Sequence, residues 1–213
     1  RIRDNLDIDP MTYNIVIKGA VRGSGTIRMG SELAINPGDV RTQLEGIPTK
    51  EPAFGLDAYW INPSQADFAK TAGYTIVDGA TVIATHINAI LRDNASDLLG
   101  HDETREILDK IAQRSPKLID DLVPDKLSVS TIMQILKNIL FESIPIRDMN
   151  TIIDTLLLES SRTQNSDELT ALVRPRLGRL MLQNLVPPGE ELSVITLDPA
   201  LEQMLIGSLQ QSN

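Results

Sequence analysis

Tyr74-Thr75-Ile76-Val77-Asp78-Gly79-Ala80-Thr81-Val82-Ile83-Ala84-Thr85-His86-Ile87 changes its period half-way along. Tyr74 to Asp78 is rich in aromatic and β-branched residues and predicts a strand. From Ala80 the apolar set Val82, Ile83, His86, Ile87, Ile90 and Leu91 falls on one helical face, and Gly100 is placed to end that helix. Upstream of the switch, Leu56-Asp57-Ala58-Tyr59-Trp60-Ile61 predicts a second strand, closed by Asn62-Pro63. A short helix capped by Ser64 follows, with Ala66, Phe68 and Ala69 for burial and Gly73 to stop it. Strand, helix, strand is a small α/β module.

Further upstream, Tyr13-Asn14-Ile15-Val16-Ile17-Lys18 alternates, with Tyr13, Ile15 and Ile17 on one face, and Gly19, Gly23 and Gly25 punctuate the run to Met29. A glycine-bearing hairpin is the economical reading. Asn36-Pro37-Gly38 signals a turn, and the polar stretch from there to Gly46 reads as loop. Downstream, the helical period persists. Ser128 opens a helix in which Val129, Ile132, Met133, Leu136, Ile139 and Leu140 share a stripe. Asp148 caps another, with Met149, Ile152, Ile153, Leu156 and Leu157 to bury, and Ser166-Asp167-Glu168 begins a further one that Pro175 interrupts. One-striped helices must pack on one another, so a helical domain begins near residue 99. Leu192–Leu197 reads as a lone strand and Pro199–Gln210 as a lone helix, too little for a core of their own.

Composition narrows the function classes. The 213 residues carry 20 Lys+Arg against 29 Asp+Glu, a net charge of −9, which repels phosphate and argues against nucleic acid and anionic membrane surfaces as partners. Without cysteine there is no disulfide frame, Cys-based zinc site or thiol nucleophile. No apolar run is long enough to span a bilayer, and the first residues lack a signal-peptide core. At 41% hydrophobic the chain can bury a core, and five of its seven aromatic residues fall between Phe54 and Tyr74.

Catalytic patterns are weak. Gly23-Ser24-Gly25 with Gly30 lacks the dinucleotide spacing, and a hairpin explains it better. His86 sits on an apolar helix face, as a satisfied core histidine does, and His101 stands with Asp102 and Glu103 at a helix start, where acids suit the dipole. A small-molecule or metal-dependent enzyme built on His86 or His101 with nearby carboxylates is the rival reading. Asp120-Asp121 and Glu190-Glu191 read as solvated faces. Arg174, Arg176 and Arg179 form the one dense basic group, suited to a partner's carboxylates or to water. In Thr49-Lys50-Glu51-Pro52-Ala53-Phe54-Gly55 a large aromatic occupies a proline- and glycine-flanked loop. Either Phe54 tucks into its own module, or it borders an apolar groove that takes amphipathic partner segments.

Ile2-Arg3-Asp4-Asn5-Leu6, Glu51-Pro52-Ala53-Phe54-Gly55-Leu56, Ala80-Thr81-Val82-Ile83-Ala84-Thr85-His86, Leu122-Val123-Pro124, Leu136-Lys137-Asn138-Ile139-Leu140 and Ile146-Arg147-Asp148-Met149, in this order, resemble the cytosolic part of the export gates of type III protein secretion, and the flagellar branch more than the virulence-injection branch. The resemblance implies an α+β architecture of four subdomains. The first is α/β (1–29 and 79–98), the second a small inserted α/β module (30–78), the third all-helical (99–178), and the fourth an α/β unit of which 179–213 is the start. It also implies a bacterial inner-membrane protein whose membrane region precedes this cytoplasmic portion.

The implied role is a non-enzymatic docking platform, without cofactor, metal or nucleic acid. Its partners would be export chaperone–substrate complexes and components of the export ATPase complex, and it would assemble as a homo-oligomeric ring of nine and contribute to switching of substrate class. The family's chaperone site is an apolar dimple between the first two subdomains. Its motif positions fall on Glu51, Phe54 and Thr85, with Leu33, Ile35 and Pro37 as walls. On that reading Phe54 is the aromatic anchor, Glu51 a polar edge and Thr85 a small floor.

Overall fold

The computed structural model of the chain describes residues 2–4, 6–186 and 189–211. Two strands, β1 (Thr12–Ile17) and β2 (Ala20–Thr26), form the expected hairpin. Its turn is Lys18-Gly19, both with positive φ (50° and 84°), the mirror-image turn whose twist matches that of the flanking strands. Gly23 and Gly25 therefore lie within β2 and not in the turn.

The other four strands make one antiparallel sheet in the order β4-β5-β3-β6: β3 (Glu32–Ile35), β4 (Ile47–Lys50), β5 (Asp57–Ile61) and β6 (Thr75–Val77). Successive residues point to opposite faces. One face sends Ala34, Ile61 and Tyr74 onto Ala69 of α1 (Ala66–Thr71) and onto Leu44 from the irregular stretch 36–46. The other sends Leu33, Ala58 and Trp60 onto Val82 of α2 (Gly79–Asp93). Burial on both faces explains why Ala58-Tyr59-Trp60-Ile61 reads as an unbroken apolar run. The turn before α1 is capped by Asn62 rather than by Ser64. Asn62 Oδ1 accepts from Ser64 N at 3.0 Å, and Pro63 occupies the first helical position.

Past α2 the chain is helical: α3 (Ala95–Leu98), α4 (His101–Ala112), α5 (Pro116–Asp120), α6 (Val129–Phe141), α7 (Met149–Glu159), α8 (Ser166–Arg176), α9 (Gly178–Leu185) and α10 (Pro199–Gln211). The break between α2 and α3 comes at Asn94, whose side chain donates to Ile90 O at 2.8 Å, six residues before Gly100. The predicted caps are in place: Ser128 Oγ accepts from Thr131 N at 3.0 Å and Asp148 Oδ1 from Thr151 N at 3.2 Å. One core of fifteen buried side chains joins α4 to α8, with Ile132, Ile135, Leu136 and Ile139 of α6 against Ile152, Ile153 and Leu156 of α7. Asn165, one residue before the predicted start, caps α8 by accepting from Asp167 N and Glu168 N. Pro175 sits one residue from the end of α8, and Leu177 separates it from α9.

The stretch expected as a strand, 192–197, is irregular. A strand is stabilised by a ladder partner, and none of the described strands pairs with it. Its Leu192, Val194, Ile195 and Leu197 are exposed, as are Leu201, Met204, Leu205 and Ile206 of α10. Among the described residues no helix is long and apolar enough to cross a membrane.

Candidate functional site

β4 and β5 are joined by residues 51–56, and this connection is built around one glutamate. Glu51 N donates to Leu56 O at 2.8 Å and Gly55 N donates back to Glu51 O at 2.9 Å, closing the loop. Glu51 Oε1 accepts from Ala53 N at 2.9 Å and Oε2 from Phe54 N at 2.7 Å. Pro52 carries no N–H that would need a partner, and Gly55 takes φ +72°, a conformation side chains disfavour. The result is an inversion of the usual pattern. Glu51 is 2% exposed and Phe54 is 69% exposed.

A polar pair joins β1 to α2. The Tyr13 hydroxyl of β1 is hydrogen-bonded to Nδ1 of the buried His86 of α2 at 2.9 Å, and the rings meet edge to face at 5.7 Å. Burial, and after it the negative charge of Glu51, pushes the Tyr13 phenol up to about 12. The two β2 glycines make room for the pair. A Cβ on Gly25 would lie 2.5 Å from the Tyr13 hydroxyl oxygen, and one on Gly23 would lie 2.9 Å from His86 Nε2. The sequence marks these glycines without disclosing their reason, since His86 is 73 residues from Tyr13.

The other residues singled out by sequence occupy distinct depths. Leu33, expected as a wall residue, is 1% exposed within the cluster of Trp60 and Val82. Ile35 packs half-buried on that cluster, and Val82 is one helical turn before the half-buried Thr85. Pro37 is exposed. Leu33 and Ile35 thus pack with Val82 of α2, one turn from Thr85. His101 is exposed at the start of α4, where Glu103 bonds back to Gly100 N at 2.9 Å. Among the described residues no three His, Cys, Asp or Glu side chains gather as a metal site would require. Of the basic group, Arg174 is engaged within the chain. Its Nε and Nη2 donate to Glu142 at 2.6 and 2.5 Å, which raises its pKa further.

A sequence model described as the FHIPEP family matches residues 1–213, the whole chain. The chain belongs to the FHIPEP family. The flagellar biosynthesis protein FlhA of Salmonella typhimurium is 44% identical over 209 residues, 98% of this chain and 30% of that protein. FlhA of Helicobacter pylori is 38% identical over 213 residues, 100% of this chain and 29% of that one. This FHIPEP chain therefore spans about 30% of the length of the curated relatives it matches.

Solved structures agree in fold. The Chlamydia pneumoniae CdsV protein superposes with a TM-score of 0.81 at 23% identity, over 96% of this chain and 60% of that one. CdsV in complex with CdsO gives 0.78 at 24%, over 96% and 62%. The nonameric EscV cytosolic domain from a type III secretion system gives 0.67 at 21%, over 97% and 61%. The mixed α/β architecture is thus shared with CdsV and with the EscV cytosolic domain.

Proposed function

We propose that this chain is a docking part of a flagellar type III export gate, located on the cytoplasmic side of the inner membrane, and that it acts without catalysis. Membership of the FHIPEP family and the FlhA relatives support the role in the export apparatus. The observation that carries the docking reading is the 69% exposed Phe54, held out on a loop whose own carboxylate is buried. Phe68 and Phe141 are exposed as well, from helices, but the Phe54 N–H is held by the Glu51 carboxylate, which fixes the ring where a partner's amphipathic helix gains an anchor. Phe54 is the anchor, Thr85 the floor, and Ile35 and Pro37 line the edge, with Leu33 behind them.

Residues 1–29 with 79–98, 30–78, 99–178 and 179–213 serve as the four subdomains, and the dimple lies between the first two. The ligands are export chaperones loaded with filament-type substrates, and components of the export ATPase complex dock elsewhere on the same platform. Assembly into a ring would place several such dimples around one channel and give substrate switching a repeated set of sites to act on. Two features weigh against the rival enzyme: Tyr13 occupies Nδ1 of His86, and His101 is exposed on a helix start. The test is a pull-down with immobilised chain against a flagellar export chaperone, empty and substrate-loaded. Retention of the loaded form by the native chain, and its loss with Phe54→Asp, is the expected result. Equal retention by both chains would refute the docking reading.

A further inference from the structure

We propose that Glu51 is a positioning residue for Phe54 and makes no contact with the docked partner; this rests on the docking reading above. A partner touches what is exposed, and Glu51 is 2% exposed. Its two carboxylate oxygens are both occupied by backbone N–H groups of the residue it presents and of the one before it, at 2.7 and 2.9 Å. Hydrogen bonds to an ionised acceptor are the strong kind, and here both serve the loop.

The main chain of Glu51 adds two more, to Leu56 and from Gly55, so a six-residue loop is closed by four hydrogen bonds that all involve one residue. The gain is preorganisation. An exposed aromatic on a loose loop would have to be ordered on binding, and that cost would be subtracted from affinity. Glu51 orders it beforehand.

A role confined to hairpin stability would show in melting temperature alone. The experiment therefore reads amide hydrogen exchange at Ala53 and Phe54 in the free chain alongside calorimetric titration with a substrate-loaded flagellar export chaperone. Glu51→Gln, which keeps the shape but turns one acceptor into a donor facing an N–H, is expected to speed exchange by about 10-fold and to weaken binding at least about 5-fold. Glu51→Asp, whose shorter carboxylate still reaches the amides two and three residues on, is expected to stay within about 2-fold of native in both.

Gly55→Ala strains the loop at φ +72° with open space around the new Cβ, and should weaken binding with Glu51 untouched. It remains informative should Glu51→Gln not fold. Weakened binding in Glu51→Gln with native exchange would overturn the proposal in favour of direct contact. Faster exchange with native affinity, in either variant, would overturn it too. Failure of the docking reading itself is separable, because Phe54→Ala would then bind as the native chain does.

Discussion

The helices α4 to α8 and the β-rich half that precedes them spend their sequence differently. The helical half buries fifteen aliphatic side chains in one cluster, with α6 and α7 contributing seven of them. The β-rich half divides a smaller apolar set between two sheet faces and adds a buried glutamate, a buried histidine bonded to a half-buried tyrosine, and an exposed phenylalanine. The polar groups that the first half buries, Thr104, Thr155, Ser160 and Thr170, are hydroxyls that donate to carbonyls three or four residues back, so they need no partner from elsewhere in the fold. The second carries polar groups below the surface and an apolar group above it, an arrangement that costs stability unless it serves binding.

The largest effect should come from the helical core, away from the proposed dimple. Leu136→Ala removes a fully buried side chain from α6 and is expected to cost about 2–5 kcal/mol, read from chemical denaturation of the whole chain. Affinity for a loaded chaperone should be unaltered under conditions where the variant stays folded. A smaller loss would mean that the core around α6 collapses to fill the gap. Next comes Gly25→Ala, which drives a methyl group into the Tyr13 hydroxyl and is expected to cost about 1–3 kcal/mol as overpacking. Unlike Leu136→Ala, it should also weaken docking, since it shifts the pair that ties β1 to α2.

The smallest effect is confined to alkaline pH. The Tyr13 phenol rises from its ordinary 10.0 to about 12 on folding. Between those values the unfolded chain releases the proton and the folded chain keeps it. The contribution is thus fully present below pH 10 and is lost as pH rises toward 12. Tyr13→Phe should flatten that part of the stability profile, and an unchanged slope would put its cause in another group.

The same contrast explains what could be read from sequence. α6 and α7 were legible because each has one apolar stripe behind a capping side chain, Ser128 or Asp148, and both signals are local. β3 and β4 were not, being four residues each beside a turn signal, with stability drawn from partners such as Trp60 and Tyr59. Leu192–Leu197 erred the other way, having strand composition and no ladder among the described residues. At the candidate site Phe54 stood out by its company of proline and glycine. Glu51, read as a polar edge, is buried, because a glutamate in a polar loop looks solvated until its two amide partners are seen. Gly23 and Gly25 announced a hairpin correctly, and their actual neighbours, the Tyr13 and His86 side chains, were beyond local reading.

The most direct measurement is a calorimetric titration of a substrate-loaded flagellar export chaperone onto the native chain and onto Phe54→Ala, with melting temperatures taken on the same samples. A binding loss of about 1–2 kcal/mol or more with little change in melting temperature is the predicted result for an anchor presented from a preformed loop. Unchanged affinity, or a loss fully accounted for by unfolding of the variant, would contradict it.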